Sequence, residues 1–547
     1  MVKALGWPEG PVCARAHAMG AALAFAAPED QLYTATEVNE WAWVAALLPS
    51  RRAEDEILFA PGHPAALDEA SALQTLSRLA KAEADPRRMD LLRAAEERGV
   101  QHFLDEEQLT LGAGTGSRTW PMEALPRAEE VPWPALHGIP TALITGSNGK
   151  TTTVRLVAAM GKAHGWVVGH SCTDGVFVDG DWIARGDYSG PTGSRQVLRD
   201  ARVQAAVLET ARGGILRRGI ATARAEAAIL TNVTPDHFGE YGIHTLDDLA
   251  DAKLAVTRAL GPDGLLVLNA DDETLLRKSS TLSCALAWFS LDDAHPKLAA
   301  HRGMGGMTCG VAGGHLWLNK DGQAHDLGAV AEMPLMAGGA AAYNLANAAG
   351  AALVATALGI LPVTIAAVLA RFGASRADNP GRFERWNLGG LTVVMDYAHN
   401  PEGLAALLDV ARSLTREGRL GLLLGQAGNR EDGAIRALAA AAAAADPDFV
   451  VLKDLDGYLR GREPGEVPAI LGDELARRGL PPDRMATVLP EVAAAGALLG
   501  WAHAGDVLVL PVHELASRER VAAWLEALAA AGWAPGSPLQ KIAPDEA

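Results

Sequence analysis

A glycine-rich loop between an apolar segment and a helical segment is the part of this sequence best suited to chemistry. It reads Thr145-Gly146-Ser147-Asn148-Gly149-Lys150-Thr151-Thr152 and follows the apolar run 141–145. In such a loop backbone N–H groups approach phosphate oxygens, and the following helix N-terminus favours anions. Lysine reaches terminal phosphates and the adjacent threonine hydroxyl ligates Mg²⁺. We therefore predict that residues 146–152 bind nucleotide phosphates. Lys150 would reach the terminal phosphates, and Thr151 would ligate Mg²⁺.

The loop leaves alternatives open when it is taken alone. Ile144 occupies the place of the first glycine in the general phosphate-loop pattern, so a glycine turn with an unrelated lysine is one alternative. A kinase or an ATPase would need the same loop. The polar clusters further along the chain are needed to separate these readings.

The second cluster begins at Glu209, directly after the apolar run 205–208. A carboxylate at the end of a buried strand is costly to desolvate without a partner, and Mg²⁺ is the obvious one. Pairing with Arg212 or Arg217 is the structural alternative. We predict that Glu209 is a metal ligand with a catalytic role.

Two more polar clusters follow apolar runs. They are Thr231-Asn232-Val233-Thr234-Pro235-Asp236-His237 and Asp396-Tyr397-Ala398-His399-Asn400-Pro401. A lone histidine is usually structural, but Asn232 and Asp236 beside His237 favour a metal or phosphate role.

The elements that position these clusters alternate between apolar strands and helices. Strands are predicted at 141–145, 205–208, 227–232 and 265–269, then at 391–395, 420–424, 449–452 and 507–510. This alternation is typical of α/β proteins with largely parallel sheets. Ligands gather at the carboxyl ends of such strands, where the polar clusters lie.

The sequence predicts an α/β protein of three domains. These are a small α+β N-terminal domain with a substrate or accessory role at 1–137, a phosphate-loop central α/β domain with a mostly parallel sheet at 138–379, and a Rossmann-like C-terminal α/β domain at 380–547. The proline-rich stretch 121–140 reads as a linker.

Composition and charge narrow the class of partner. Hydrophobic residues make up 49% of the 547 residues, and the formal net charge is −18 with no basic block. This argues against nucleic acid or an anionic membrane as a partner. The four cysteines are scattered without a zinc or disulfide pattern, and no signal peptide or membrane span is evident. We expect a cytoplasmic protein.

Three polar clusters of this sequence resemble the Mur ligase superfamily. They are the clusters at 231–237 and 396–401 and the segment Glu209-Thr210-Ala211-Arg212-Gly213-Gly214-Ile215-Leu216-Arg217-Arg218-Gly219. The resemblance is closest to the Mur-like half of cyanophycin synthetases and covers about residues 138 to 547. It implies a three-domain ligase that depends on ATP and Mg²⁺. Such an enzyme phosphorylates a substrate carboxylate, and an amine then displaces the phosphate.

The resemblance also implies roles for single residues. His237 would ligate a second Mg²⁺, and Lys253 lies where many Mur ligases carry a carbamylated lysine that orients magnesium. Carbamylation of Lys253 is a hypothesis. Arg382 would contact phosphate oxygens, Asp396 would accept from the ribose hydroxyls, and His399 would pack near the nucleotide.

Two asparagines are further candidates near the nucleotide. Asn269 ends a predicted strand, and Asn344 lies in Tyr343-Asn344-Leu345-Ala346-Asn347. Both resemble family positions close to the nucleotide. A capping role is the alternative for each.

A turn-rich loop is the candidate for binding the acid. It is Asp187-Tyr188-Ser189-Gly190-Pro191-Thr192-Gly193-Ser194-Arg195. Ser189, Thr192 and Ser194 offer hydroxyls, and Arg195 and Arg212 offer cations for a carboxylate. A solvated surface loop is the alternative.

A charged loop is the candidate for binding the amine. The loop Lys453-Asp454-Leu455-Asp456-Gly457-Tyr458-Leu459-Arg460-Gly461-Arg462 lies where Mur ligases that add diamino acids carry their specificity loop. Asp454, Asp456 and Arg460 could grip the side chain and α-carboxylate of an amino acid such as arginine or lysine. These charges could instead pair among themselves.

One departure from the resemblance limits the expected product. Cyanophycin synthetases carry an ATP-grasp domain before their Mur-like half, whereas about 137 residues precede it here. We expect one ligation on a small peptide or amino acid, or action beside a separate ATP-grasp ligase. A nucleotide-binding regulatory protein and an ATPase or phosphotransferase are the alternatives, and the oligomeric state is left open.

Overall fold

The computed structural model describes residues 1–17, 20–47, 69–236, 238–415 and 417–539. The chain separates into two compact units. The first comprises 1–139 with 199–201 and 237–245, and the second comprises 140–198, 202–236 and 246–547.

The first unit combines helices with short antiparallel strands, as the predicted α+β fold requires. Its strands are β1 (Val12–His17), β2 (Gly20–Phe25), β3 (His102–Leu104), β4 (Gln108–Leu111) and β5 (Arg118–Pro121), and its helices are α1 (Leu32–Leu47), α2 (Glu69–Glu83) and α3 (Pro86–Glu97). β1 pairs with β2, and β4 pairs with both β3 and β5.

Most of the stretch 121–140, up to residue 139, belongs to the first unit and packs into its core. Leu125, Val131 and Leu136 are buried in one core with Leu91 of α3 and Leu109 of β4. The prediction of a linker was therefore wrong. Prolines interrupt the periodic patterns of helices and strands, but the apolar side chains between them still gain free energy by leaving water.

The second unit begins with an eleven-stranded sheet, counted over the described residues. Its strands are β6 (Thr141–Thr145), β7 (Val168–Cys172), β8 (Gly175–Val178), β9 (Asp181–Arg185), β10 (Ala205–Glu209), β11 (Ala225–Leu230), β12 (Leu260–Asn269), β13 (Ala285–Phe289), β14 (Thr308–Ala312), β15 (His315–Lys320) and β16 (Gln323–Ala329). The order is β16-β15-β14-β13-β12-β11-β6-β10-β7-β8-β9. Strands from β14 to β7 in that order run parallel, which confirms the predicted mostly parallel sheet.

Helices cover this sheet. They are α4 (Lys150–His164), α5 (Pro191–Arg199), α6 (Arg212–Arg218), α7 (Leu246–Leu254), α8 (Glu273–Lys278), α9 (Pro296–Gly303), α10 (Ala342–Ala357) and α11 (Pro362–Leu369). α10 is buried along most of its length and rich in alanine. A Cβ on its Gly350 would lie 2.5 Å from Ile229 Cδ1, so small residues let this helix approach the sheet closely.

A six-stranded sheet follows among the described residues of the same unit. It contains β17 (Glu384–Leu388), β18 (Leu391–Asp396), β19 (Leu420–Leu424), β20 (Phe449–Leu452), β21 (Met485–Thr487) and β22 (Val507–Pro511), with helices α12 (Pro401–Leu414), α13 (Asp432–Ala444), α14 (Glu466–Arg477), α15 (Glu491–Trp501) and α16 (Leu515–Ala530). The order is β17-β18-β22-β19-β20-β21, and among these described strands β17 alone is antiparallel to its neighbour. Apolar clusters bury both faces, as a Rossmann-like sheet requires.

The larger sheet brings the predicted clusters together. β6 lies between β10 and β11 and is parallel to both. The segments that follow these three strands therefore share one edge of the sheet, at the point where the strand order reverses. Within the described ranges, the helices lack the combined length and apolar character that a bilayer span requires.

Candidate functional site

The loop after β6 has a conformation that two of its glycines make accessible. Gly146 has φ +148° and Gly149 has φ +82°, a region that favours glycine. A Cβ would lie 1.9 Å from Thr231 Oγ1 on Gly146 and 2.0 Å from Asn347 Oδ1 on Gly149. Gly149 is the N-cap of α4, so the first N–H groups of that helix lie at the loop, as an anion site requires.

The segment after β11 holds the loop in place. Ser147 N donates to Asn232 O at 3.0 Å, and Asn148 N donates to Asn232 Oδ1 at 2.8 Å. Thr231 Oγ1 donates to Asn148 O at 2.6 Å. Thr231 and Asn232, the first two residues of the predicted cluster at 231–237, thus hold the backbone of the phosphate loop in place.

Glu209 is fully buried at the end of β10 and faces two hydroxyl groups. Its Oε2 accepts from Thr151 Oγ1 at 2.8 Å, and its Oε1 accepts from Thr173 Oγ1 at 3.1 Å. A carboxylate beside a hydroxyl at the mouth of a phosphate loop fits Mg²⁺, which takes few protein ligands and completes its shell with phosphate and water. Among the described residues, no group of three or more His, Cys, Asp or Glu side chains is arranged to hold a metal ion.

Lys253 approaches the same loop from α7. Its side chain is buried, and its Nζ donates to Gly146 O at 2.7 Å. Burial, and then the nearby positive charge of Lys150, hold the pKa of Lys253 well below its ordinary value. Lys150 itself donates to Ser147 O at 3.0 Å.

A cleft opens between the loop and the C-terminal sheet. Predicted residues that line it are Ser147, Asn148, Gly149, Lys150, Thr151, Thr152, Glu209, Asn344, Arg382, Asp396 and His399. Arg382 reaches across the cleft: its Nη2 donates to Thr151 Oγ1 at 3.3 Å. Its guanidinium lies 4.1 Å from the ring centroid of Tyr397.

The segment after β18 forms the opposite wall. Asp396 Oδ2 accepts from Phe383 N at 2.8 Å, and burial raises the pKa of Asp396. Asn400 Nδ2 donates to Asn148 Oδ1 at 2.8 Å, which joins this segment directly to the phosphate loop. His399 lies with its Nε2 3.9 Å from Asp236 Oδ2.

The two candidate asparagines, Asn269 and Asn344, differ in their position relative to the cleft. Asn269 does not line the described cleft; its Nδ2 donates to Thr231 O at 3.1 Å and its Oδ1 accepts from Asp271 N at 2.9 Å. Asn344 is buried near the start of α10 and donates to Leu335 O at 3.2 Å. Asn269 therefore supports the segment that holds the loop, whereas Asn344 lies at the cleft.

The predicted acid-binding loop lies beside α6. Ala211 N donates to Ser189 O at 2.8 Å, which places the loop next to the helix that begins at buried Arg212. Thr192 Oγ1 accepts from Arg218 at 3.0 Å, and Ser194 Oγ donates to Gly190 O at 3.3 Å. Arg195, on α5, is partly exposed. In the described structure none of these residues lines the cleft beside the phosphate loop.

The predicted amine-binding loop follows β20. Asp454 Oδ2 accepts from Gly465 N at 2.8 Å, and Asp456 Oδ2 accepts from Glu491 N at 3.2 Å. Burial raises the pKa of Asp456. Arg460 is exposed and lies 4.9 Å from the ring centroid of Tyr458.

His237 falls outside the described residues. Its neighbour Asp236 is described, and Asp236 Oδ1 lies 3.1 Å from Arg430 Nη2. The predicted second metal site at His237 therefore remains a prediction.

Sequence reasoning did not single out Thr173, Asn347 or Arg430. Thr173 contacts Glu209, Asn347 lies against Gly149, and Arg430 pairs with Asp236. Arg430 lies in the loop after β19. Because ligands gather at the carboxyl ends of parallel strands, this position could have identified Arg430 from the sequence. Thr173 and Asn347 carried no such signal, because a threonine in a turn and an asparagine in a helix are common.

Known proteins share this fold and these motifs. Residues 144–355 match the Mur ligase middle domain, and residues 381–511 match the Mur ligase glutamate ligase domain. Cyanophycin synthetase from Trichormus variabilis is 36% identical over 375 residues, which are 68% of this chain and 41% of that protein. UDP-N-acetylmuramate–L-alanine ligase from Kineococcus radiotolerans is 32% identical over 391 residues, which are 67% of this chain and 70% of that protein.

The fold is also found among solved structures. E. coli FolC in complex with ADP has a TM-score of 0.50 at 17% identity, covering 72% of this chain and 90% of that chain. The phosphate loop, the buried carboxylate and the two α/β sheets around one cleft define a nucleotide-binding protein. The chain belongs to the Mur ligase family, which confirms the resemblance drawn from its motifs.

Proposed function

We propose that this protein is an ATP-dependent ligase that joins a carboxylate to an amine. The observation that carries the proposal is the convergence of Thr151, Glu209 and Arg382 at one end of the phosphate loop. Each comes from a different part of the second unit, and together they combine a hydroxyl, a carboxylate and a cation. The named relatives, a cyanophycin synthetase and a Mur ligase, support an amide-forming reaction.

The residues have separate tasks in this reaction. The N–H groups of the loop and Lys150 would hold the phosphates, and Arg382 would stabilise the charge that develops on the transferred phosphoryl group. Thr151 and Glu209 would hold Mg²⁺, which lowers the repulsion between the phosphates and the approaching carboxylate.

The proposed reaction consists of two displacements, and each breaks one bond as it forms another. A carboxylate oxygen of the acid attacks the γ-phosphorus, the bond to the β-phosphate oxygen breaks, and ADP leaves. The amine nitrogen then attacks the acyl carbon, the acyl C–O bond breaks, and phosphate leaves as the nitrogen loses a proton. Exclusion of water from the cleft would limit hydrolysis of the acyl phosphate between the two steps.

Carbamylation of Lys253 and a second Mg²⁺ at His237 form part of the proposal. The lowered pKa of Lys253 favours its neutral amine, the form whose nitrogen attacks CO₂ and then releases a proton. The resulting carbamate would lie near Gly146 and offer anionic oxygens to magnesium, which the ammonium would repel.

Separate loops would bind the acid and the amine. We propose that Ser189, Thr192, Ser194, Arg195 and Arg212 bind the acid, since their loop packs beside the helix that follows Glu209. Asp454, Asp456 and Arg460 would bind a cationic amino acid such as arginine or lysine. Asp396 and His399 complete the proposed nucleotide site, and Asn269 would act indirectly by holding Thr231.

The proposal extends to the setting of the reaction. We place it in the cytoplasm, where ATP and Mg²⁺ are supplied, with small molecules as acid and amine. A separate ATP-grasp ligase is a candidate for supplying the acid. The first unit would have a substrate or accessory role.

A substrate matrix tests the proposed function. Acidic amino acids and dipeptides are combined with basic and neutral amino acids, and ADP release and product mass are measured. We expect ADP release that requires both partners and a product lighter than their sum by one water. ADP release without an amine and without an adduct would indicate an ATPase, and the ligase proposal would be wrong.

A further inference from the structure

Three buried charged side chains lie behind the cleft. Arg155 is one turn beyond Thr151 on α4, Asp174 is in the turn between β7 and β8, and Arg518 is on α16. Their exposed fractions are 6%, 3% and 4%. Within the described part of the chain, none of the three lines the cleft itself.

Asp174 joins the two arginines. Its Oδ2 accepts from Arg155 Nη2 at 2.5 Å, and its Oδ1 accepts from Arg518 Nη2. Burial alone would raise the pKa of Asp174, but the guanidinium groups of Arg155 and Arg518 hold it below its usual range. Asp174 is therefore ionised, and it links a helix of the larger sheet to a helix of the smaller one.

Arg155 and Arg518 both contact the segment 379–381, which connects the two sheets. Arg155 Nη1 donates to Asn379 Oδ1 at 3.2 Å and to Pro380 O at 2.7 Å. Gly381 has φ +71°, and a Cβ there would lie 2.5 Å from Arg518 Cδ, so the stem of Arg518 packs directly on this backbone. The next residue is Arg382, whose Nη2 donates to Thr151 Oγ1.

A second contact leads from Arg518 to Arg382. The guanidinium of Arg518 lies 5.4 Å from the ring centroid of Tyr397, and that of Arg382 lies 4.1 Å from the same centroid. The orientation of Arg382 is thus restrained through the backbone at Gly381 and through the ring of Tyr397.

We propose that Arg155, Asp174 and Arg518 form a clamp that positions Arg382 at the phosphate loop. Arg518 is a positioning residue: it acts on the nucleotide through Arg382. The clamp rests on the proposed ATP site, because its task is to present a cation to the phosphates. Loss of the clamp should therefore weaken MgATP binding only while Arg382 is present.

The test is a double-mutant cycle on MgATP affinity, measured by calorimetric titration of the full chain. We expect Arg518→Gln to weaken MgATP binding about tenfold, which is about 1.4 kcal/mol. Arg382→Ala should weaken it by at least as much. In the Arg382→Ala background, Arg518→Gln should cause less than a twofold further loss.

A matched control comes from the neighbouring position on α16. Glu519 Oε1 accepts a hydrogen bond from Arg185 Nη1 of β9 at 2.8 Å. This exposed pair therefore also links the two sheets, but its hydrogen bond does not involve residues 379–382. Glu519→Gln should leave MgATP affinity unchanged. Near-ultraviolet circular dichroism checks that each variant is folded. If Arg518→Gln does not fold, Arg518→Lys replaces it, with an expected threefold to fivefold loss that again disappears in the Arg382→Ala background.

The outcomes separate the clamp from the ATP site. Unchanged affinity in a folded Arg518 variant would overturn the clamp, and so would losses that multiply fully with that of Arg382→Ala. An equal loss in Glu519→Gln would also overturn it, because any link between the sheets would then suffice. If the wild-type protein did not bind MgATP, the proposed function would fall and the clamp with it, before any variant was compared.

Discussion

Lys253 is a side chain whose surroundings change its chemistry. It is buried, it donates to the carbonyl of Gly146, and its pKa is lowered by burial and by Lys150. A buried ammonium in this place would repel both Lys150 and magnesium, whereas a carbamate would attract them. The chemical state of one nitrogen therefore decides whether this position supports the phosphate loop or opposes it.

We expect Lys253→Ala to lower amine-dependent ADP release by about 10–100-fold, as loss of a group that orients a metal does. Acetate or formate should restore part of the activity, because a free carboxylate can replace the carbamate. Initial rates with and without added carboxylate are the measurement. Lys253→Arg is the matched control, since it stays cationic and cannot be carbamylated, and it should not be rescued. Failure of every small carboxylate to rescue Lys253→Ala would contradict carbamylation.

At the residue scale, the sequence predicted the groups that chemistry makes unusual. Lys150 and Glu209 stood out because a lysine in a glycine loop and a carboxylate ending an apolar strand both need a ligand. Thr173 and Asn347 did not stand out, because their roles come from neighbours brought close by the fold. Contacts between residues distant in sequence are set by tertiary packing, and one sequence shows no pattern for them.

At the scale of elements, the ends of β20 and β22 share a buried polar cluster. Lys453 and Glu491 form an ion pair, and both side chains are fully buried. Burial lowers the pKa of His513 to about 4, so its ring is neutral. His513 Nδ1 lies 3.4 Å from Lys453 Nζ, and its Nε2 lies 3.1 Å from Ala398 O. This cluster joins the proposed amine loop to the wall of the nucleotide cleft.

We expect Lys453→Met to lower the free energy of unfolding by about 3–5 kcal/mol, because it leaves the buried carboxylate of Glu491 without its cation. The double variant Lys453→Met, Glu491→Gln should be more stable than the single one. Denaturant unfolding of the transition that includes the C-terminal sheet is the measurement.

The control for this prediction is the exposed pair Lys162 and Asp179, with side chains 60% and 52% exposed. Lys162→Met should change the free energy of unfolding by no more than about 0.5 kcal/mol. Equal losses in Lys162→Met and Lys453→Met would contradict the account of the buried pair.

The parallel strands were the most predictable elements. The predicted strands 141–145, 420–424 and 449–452 have the bounds that the structure shows, because buried parallel strands are short apolar runs that end at polar residues. The antiparallel strands β8, β9, β15 and β16 were not predicted, and neither were the parallel strands β7, β13 and β14. The edge strands β9 and β16 mix polar and apolar residues, so their hydrophobic pattern is weak.

At the scale of the whole molecule, one cleft in the second unit combines two sheets. The loop after β6 forms one wall and is the proposed phosphate site, and the segment after β18 forms the opposite wall. A hydrogen bond between Asn400 and Asn148 joins the two. The sequence predicted two α/β domains after the N-terminal one. It did not predict that residues 199–201 and 237–245 belong with the first unit, because such an assignment depends on contacts across the chain.

We propose that ATP activates a carboxylate as an acyl phosphate in this cleft. The direct measurement uses an acid labelled with ¹⁸O in its carboxylate, together with the amine that the substrate matrix identifies, and reads the mass of the released phosphate. We predict that one labelled oxygen appears in each phosphate, because the carboxylate oxygen attacks phosphorus and stays there when the amine breaks the acyl C–O bond. Unlabelled phosphate, or phosphate that takes its new oxygen from water, would contradict the account.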